Sequence, residues 1–444
     1  MNESDNFSAS SLWGLNIYPL RTALDREFHA RPYENVQPPL RVMHLVMVTE
    51  PPQAEQTHEH VARLCEHFGV AAPMPGDTAH FRTRCNETLS LKWERHQEFS
   101  TYTFFLSGVF VEPFSDIFET LLPAAWLGSI PGDLLVAIRL AFEPATTPAR
   151  TLAQLHEIFG TTHLVGAQVI SGNASVYSDF LADHNGFSHI LVQDHRLTGH
   201  QPGRLVQRLL DIETYRAMAI LGFPRMRYLT QELSRMEQHL SALTASLAQD
   251  SDPEHDKKIL QELMRLAGET EHISAMAAYR SSAGRAYHAL VQHRLKELRE
   301  TRIEGLPPIH EFLERRFAPA MRTIEAAHER LERLSQRVAR AATLLRTTVD
   351  VALAEQNSAR LASMNQRVKL QLRLQEMVEG LSVVVIGYYL TSLLGYCYKA
   401  LAHMGVPINV DIAIAATIPF VLLGIGLTVR WRRKKLMATH TGPA

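Results

Sequence analysis

Two long apolar runs lie close together near the C-terminal end and constrain this chain more than any other feature. Residues 381–402 read LSVVVIGYYLTSLLGYCYKALA, with Lys399 as the sole charge, near one end where its stem can snorkel. Residues 412–429 read IAIAATIPFVLLGIGLTV and carry no charge. At about 1.5 Å of rise per residue, each run is long enough to cross a bilayer as a helix. Pro419 predicts a kink in the second run, which membrane helices tolerate. The pair reads as a C-terminal two-helix transmembrane hairpin with the lipid bilayer as its partner. A buried soluble hairpin is the alternative.

The flanks predict orientation. RWRRKK follows the second run, with Arg430, Arg432, Arg433, Lys434 and Lys435. Such a cluster stays in the cytoplasm and can attract anionic lipid. Two spans then place both termini on the cytoplasmic side of the membrane, and HMGVPINVD (403–411) on the other. The start, MNESDNFSASS, is polar and acidic and predicts no secretory signal. Gly387, Thr391 and Gly395 form a small-xxx-small row on the first run. That row suits close helix packing, either inside the hairpin or between copies in a homo-oligomer.

Upstream, residues 204–379 read as a long-helix stalk, rich in Ala, Leu, Glu, Arg and Gln. Pro224, Pro253 and Pro307–Pro308 punctuate it into helices near 204–248, 254–300 and 309–379. Ile324, Leu331, Val338, Leu345 and Ala352 recur every seven residues, with Ala327, Leu334, Ala341 and Thr348 at the companion positions. This is the pattern of a coiled coil or bundle helix, facing either the preceding helices or another subunit.

Residues 1–203 differ. Strand-like runs occur at 40–49, 88–95, 99–106, 134–142, 164–170 and 189–193, interleaved with helical stretches at 53–69, 116–128 and near 149–159. The fold class is therefore α+β: a sheet domain (1–203), a stalk (204–379), a membrane hairpin (380–429) and a basic tail (430–444). The formal net charge of −1 argues against a nucleic-acid partner. Only three cysteines are present, Cys65, Cys85 and Cys397, far apart and without a CxxC pair. That spacing predicts neither a disulfide framework nor a zinc knuckle.

Candidate chemistry is sparse. The chain has no Walker loop, no GxGxxG after a strand, no GxSxG and no HExxH, so no cofactor and no catalytic residue is predicted. Among 22 histidines, His58 and His60 point apart on a helix, while His184, His189, His195 and His200 lack a ligand spacing, so no metal site is predicted. The most distinctive string is RTALDREFHARPYENVQPPLRVMHLVMV (21–48). Its Pro32 drives the preceding residues extended, where His29 and Arg31, with Arg41 and His44 following, can clasp an anion or satisfy buried carbonyls.

The HARP string, its PP-x-R-x-x-H-L continuation and the late MVEGLSVVVIGYYLTSLLGYCYKAL resemble a bacterial family of uncharacterised membrane-anchored proteins that carries a domain of unknown function. The resemblance covers essentially the whole chain. It implies an anchor in the bacterial inner membrane, a large cytoplasmic region and no established activity. The layout is also similar to CorA-type metal-ion transporters, with Asn365–Lys369 resembling the end of their stalk helix. Their Gly-Met-Asn signature is departed from here, where 403–409 reads HMGVPIN. Independently of that similarity, a ring of Asn409 or Asp411 side chains from several subunits can attract hydrated cations, which with Thr391 in the span and Glu379 on the inner approach gives the pore or entrance candidates. The leading expectation is a non-enzymatic, oligomeric membrane-anchored interaction or scaffolding protein. Alternatives are a divergent ion channel lined by the first span and, third, a hydrolase or binding enzyme using His29, Arg31 and the histidine-rich sheet.

Overall fold

A computed structural model describes residues 33–74, 79–247, 253–403 and 409–438, with Tyr18, Leu20, Arg21, Leu24, Asp25 and Pro407 beside them. The elements run β1 (Leu40–Val48), α1 (Pro51–Phe68), β2 (His80–Arg84), β3 (Leu89–Arg95), β4 (Phe99–Ser107), α2 (Ile117–Leu121), α3 (Ala124–Leu127), β5 (Asp133–Glu143), α4 (Leu152–Phe159), β6 (Val165–Val169), β7 (Ala174–Ala182) and β8 (Ser188–Asp194). Then come α5 (Gln201–Ile220), α6 (Phe223–Leu247), α7 (Pro253–Leu298), β9 (Thr301–Arg302), α8 (Ile309–His403) and α9 (Val410–Ala438). The chain divides into two compact units. The first holds residues 1–249 and 261–341, the second residues 250–260 and 342–444.

The first unit is built on one nine-stranded sheet of order β2-β3-β4-β1-β5-β8-β7-β6-β9. Every pairing is antiparallel except β5 with β8. The expected hairpin at 88–106 forms as β3–β4, paired Leu89↔Leu106 through Arg95↔Ser100. Successive strand residues point to opposite faces. On one face Met43, Leu45, Leu91, Trp93, Tyr102 and Phe104 pack with Val61 and Leu64 of α1 and with Trp126. Helix α1 forms where Glu50 and Gln53 make a capping box and stops at Gly69, whose φ of 65° suits a residue without Cβ. Pro123 splits the helix expected at 116–128 into the short α2 and α3.

Helix α5 buries Leu205, Val206, Leu209, Leu210 and Ile212. Its entry is sterically fixed: a Cβ at Gly203 would lie 1.7 Å from the Glu34 carbonyl oxygen. The obstacle is backbone, which cannot rotate away. Gly203→Ala is therefore expected to lower stability by about 1–3 kcal/mol, read as a lower melting temperature of the full chain. The helices beyond α5 are also in place: the break expected near Gly222–Pro224 separates α5 from α6.

The heptad row has an internal destination over its first half. Ile324, Ala327, Leu331, Leu334 and Val338 are all buried within the single chain. Arg330 ties that stretch to α6, its guanidinium donating to Glu237 (2.8 and 2.5 Å) and to Ser234 (3.0 Å). Thr348 and Ala352, further along the row, are exposed.

In the second unit, the segment beyond Ala341 continues helix α8 to His403, followed by α9. Both contain a stretch long and apolar enough to cross a membrane, with mean hydropathy of 1.6 and 2.2. Gly387 and Gly395 are where α8 meets α9. A Cβ at Gly387 would stand 3.3 Å from Leu422 Cδ2, and one at Gly395 would stand 3.2 Å from Ile414 Cδ1.

Candidate functional site

Strand alternation gathers an unusual set of charges on the sheet face that α5 covers. In β3, Leu89, Leu91 and Trp93 turn to the core of the opposite face, so Lys92 and Glu94 share the α5 side. Neighbouring strands add His44 from β1 and Thr103 from β4, opposite one another in register. Helix α5 supplies Gly203, Gln207, Asp211 and Thr214, and the segment before β1 supplies Glu34. At the centre is a cavity of about 30 Å³. That is room for a water molecule rather than an organic substrate.

His44 is engaged on both ring nitrogens, with Thr103 Oγ1 2.7 Å from Nδ1 and Thr214 Oγ1 3.1 Å from Nε2. Burial pushes its pKa down to about 3, with Lys92 and His96 acting the same way and Glu94 opposing, so the ring is neutral. Glu94 lies 3.1 Å from the Lys92 ammonium and 3.4 Å from His80 Nδ1. Burial raises its pKa, but the His80 hydrogen bond and Lys92 outweigh that and hold it at about 2. Asp211 accepts from Arg294 Nε at 2.9 Å, yet burial still pushes its carboxyl up to about 6. Glu34 faces Arg82 at 2.7 Å, and its pKa is raised by burial against that pairing. Arg294 also donates to Glu297 (2.9 Å), which accepts from Arg208 (3.2 Å). The network therefore ties the sheet to α5, and α5 to α7. With both His44 nitrogens bonded, the ring offers no free nitrogen to an incoming group.

The sequence candidates do not converge here. His29 and Arg31 lie outside the described residues. Arg41 is three residues from His44 and so faces the other side of the sheet, where it donates to Ser115 Oγ at 2.8 Å and lies over the Phe110 ring. The histidines also disperse. His60 is buried against Trp126, ring centroids 4.4 Å apart, while His58 meets the Met74 carbonyl. His189 stacks on Phe114 and His195 bonds Ser175. Among the described residues no group of three or more His, Cys, Asp or Glu is arranged to hold a metal ion.

The candidates in the second unit also separate. Thr391 lies in a groove of about 290 Å³ with Tyr388, Ser392, Gly395, Tyr396, Lys399 and Ile414, and donates to its own helix at the Gly387 carbonyl (2.7 Å). Asn409 and Asp411 are exposed at the start of α9, and Glu379 is half-buried on α8. None of these three lines that groove. Sequence reasoning missed Lys92, Glu94 and Asp211. The available signal was charge at alternate positions of β3 between large apolar residues.

A mixed α/β chain, with a nine-stranded sheet, long helices and two apolar C-terminal helices, is the class this architecture defines. Within it, the chain belongs to the family described as protein of unknown function (DUF3422), whose model matches residues 16–436. The chain matches no curated protein.

Proposed function

We propose that this protein is an integral membrane protein whose two C-terminal helices anchor a large cytoplasmic interaction domain, and that it works as a homo-oligomer without catalysing a reaction. The observation that carries the reading is the destination of the apolar surface. Only 6% of each membrane-length window is buried inside the fold. Tyr389, Leu393, Phe420 and Leu423 are each about two-thirds exposed or more. A water-soluble chain does not leave a continuous apolar surface of this kind uncovered. Hydrocarbon covers it at no cost in polar groups, because both segments are helical and satisfy their own backbone. The basic run after the second segment supports a cytoplasmic C-terminus. Membrane fractions washed with alkaline carbonate are expected to retain the full chain. Asn409→Cys in a Cys397→Ser background is expected to react with an impermeant maleimide applied outside intact cells. Recovery of the chain in the carbonate supernatant overturns the proposal.

Association between copies is supported by Tyr388, Ser392 and Tyr396, which open a hydroxyl-lined groove on the first helix. Hydroxyls facing hydrocarbon gain from a partner helix that returns hydrogen bonds. Native mass spectrometry is expected to give more than one subunit. The competing reading, cation conduction along this helix, meets an unfavourable charge, since among the described residues Lys399 is the sole formal charge lining the groove. Cation flux in vesicles is expected to stay at background for the wild type and for Asp411→Asn alike.

A further inference from the structure

Two cavities of the sheet unit lie away from the buried network, where α8 begins. One of about 400 Å³ is bordered by Phe180, Leu181, Ile220, Leu313 and Phe317. A second of about 380 Å³ is bordered by His156, Thr162, Gly305 and Arg315. Both share His163, Phe312 and Arg316, so they form the two arms of a single cleft. Their volumes fall in the range of small-molecule sites.

The two arms differ chemically. The first is floored by apolar side chains, with Leu313 and Phe317 buried and Leu181 55% exposed at its rim. Asp179 and Arg216 also border the first arm, and the second is polar, with Glu311 beside His156, Arg315 and Arg316. Where they meet, the Phe180 and Phe312 rings stack with centroids 5.3 Å apart, and the Arg316 guanidinium lies 4.0 Å from the Phe312 centroid. Phe180 reaches this position through an irregularity in β7, where the register with β8 shifts between Ser178 and Ala182 and Phe180 takes a φ of 55°. A bulky residue adopts that conformation only under constraint.

The cations are not equally committed. Arg216 is bound to Glu213 through two hydrogen bonds, of 3.0 and 2.7 Å. Arg315 lies 3.9 Å from Glu311. Among the described residues no carboxylate stands within ion-pair distance of Arg316, which is exposed at the junction of the arms. A guanidinium over an aromatic ring, beside an apolar trough and two histidines, matches an anionic headgroup attached to an apolar tail.

We propose that this cleft binds an acidic amphiphile, its single-chain tail along Ile220, Leu313 and Phe317 and its carboxylate or phosphate at Arg316. This site is independent of the anchoring role argued above. The test uses the full chain in phosphatidylcholine nanodiscs, titrated by calorimetry against empty nanodiscs. Decyl phosphate is expected to bind saturably at one site per chain. Decanol, which lacks the anion, and inorganic phosphate, which lacks the tail, are each expected to bind at least tenfold more weakly. Decanoate compared with decyl phosphate tells which headgroup is preferred. Arg316→Gln is expected to weaken decyl phosphate at least tenfold, and Arg316→Lys, which keeps the charge, to weaken it less. Leu181 is exposed, so Leu181→Glu is a second variant that tests the apolar arm without touching the core, and it is expected to weaken binding as well. Absence of saturable binding, equal affinity in Arg316→Gln, or inorganic phosphate binding as tightly as decyl phosphate overturns the proposal.

Discussion

Acidification from pH 7 to pH 4 is expected to destabilise the sheet unit through two buried imidazoles, and His44→Asn is expected to remove most of the net loss. His44 is held at about 3 and His60 at about 4, in both cases chiefly by burial. Their unfolded values lie near 6.5. A histidine whose folded pKa is depressed costs nothing above about pH 6.5. Below that, the unfolded chain takes up protons that the folded chain refuses, and the penalty grows until the folded pKa is reached. At about 1.4 kcal/mol per pH unit, each ring contributes about 3 kcal/mol of destabilisation by pH 4. Asp211 works the other way. Its folded pKa is raised to about 6, so its carboxylate is penalised at neutral pH and relieved as pH falls toward about 4, which returns about 3 kcal/mol. Glu94, held at about 2, keeps its contribution down to about pH 4.5 and begins to lose it only at the low end of this window. The two imidazoles cost about 6 kcal/mol and Asp211 returns about 3, so the wild type should lose about 3–4 kcal/mol between pH 7 and 4. The difference between wild type and His44→Asn isolates the His44 share. Chemical denaturation at a series of pH values measures it. Parallel pH profiles for the two proteins would show that His44 is not kept neutral by the fold.

Local signals were sufficient for much of this architecture. The strands at β1, β3, β4, β5, β6 and β8 have dense β-branched or alternating apolar runs, and each lies at its expected place. Strand β2, HFRTR, was not legible, because an edge strand with half-exposed charges has no apolar run to betray it. Strand β7, ASVYSDFLA, was missed for another reason: its alternation breaks at the irregularity around Phe180. The heptad row was plainly visible, but periodicity states only that a face is buried. That Leu331 and Val338 are buried inside this chain is a property of the fold, which the period does not carry. The two glycines of the first apolar run show the same division, since their spacing indicates close approach and only the structure identifies Leu422 and Ile414 as the neighbours. The amphiphile cleft had no signature at all. It joins Phe180 to Phe312 and Arg316 across more than 130 positions, and none of them belongs to a recognisable motif. Arg41 and His44 are close in the sequence, but the period of the strand sends residues three apart to opposite sides of the sheet.

The second large effect is expected at Arg216. Glu213 is buried in α5, its side chain 2% exposed, and its carboxylate is satisfied by a bidentate pairing with Arg216 one turn on. Arg216 is 26% exposed and keeps access to water. The pair is thus asymmetric, and the two ways of breaking it should cost different amounts. Arg216→Met leaves a carboxylate buried without a counter-charge, a change of about 3–5 kcal/mol. Glu213→Gln leaves a guanidinium that can turn to solvent, and an amide that still accepts one hydrogen bond, so about 1–2 kcal/mol is expected. Replacing both, as Glu213→Leu with Arg216→Met, removes the desolvation penalty together with the attraction. That double variant is expected to lie within about 1 kcal/mol of the wild type. Melting temperatures of the wild type, Arg216→Met, Glu213→Leu and the double variant close a double-mutant cycle, with Glu213→Gln measured beside them. If Arg216→Met and Glu213→Gln prove equally costly, burial of Glu213 is not what makes the pairing matter. In that case Arg216 has to be counted with Arg316 among the cations available to a ligand in the cleft, and the assignment of the headgroup to Arg316 alone loses its basis.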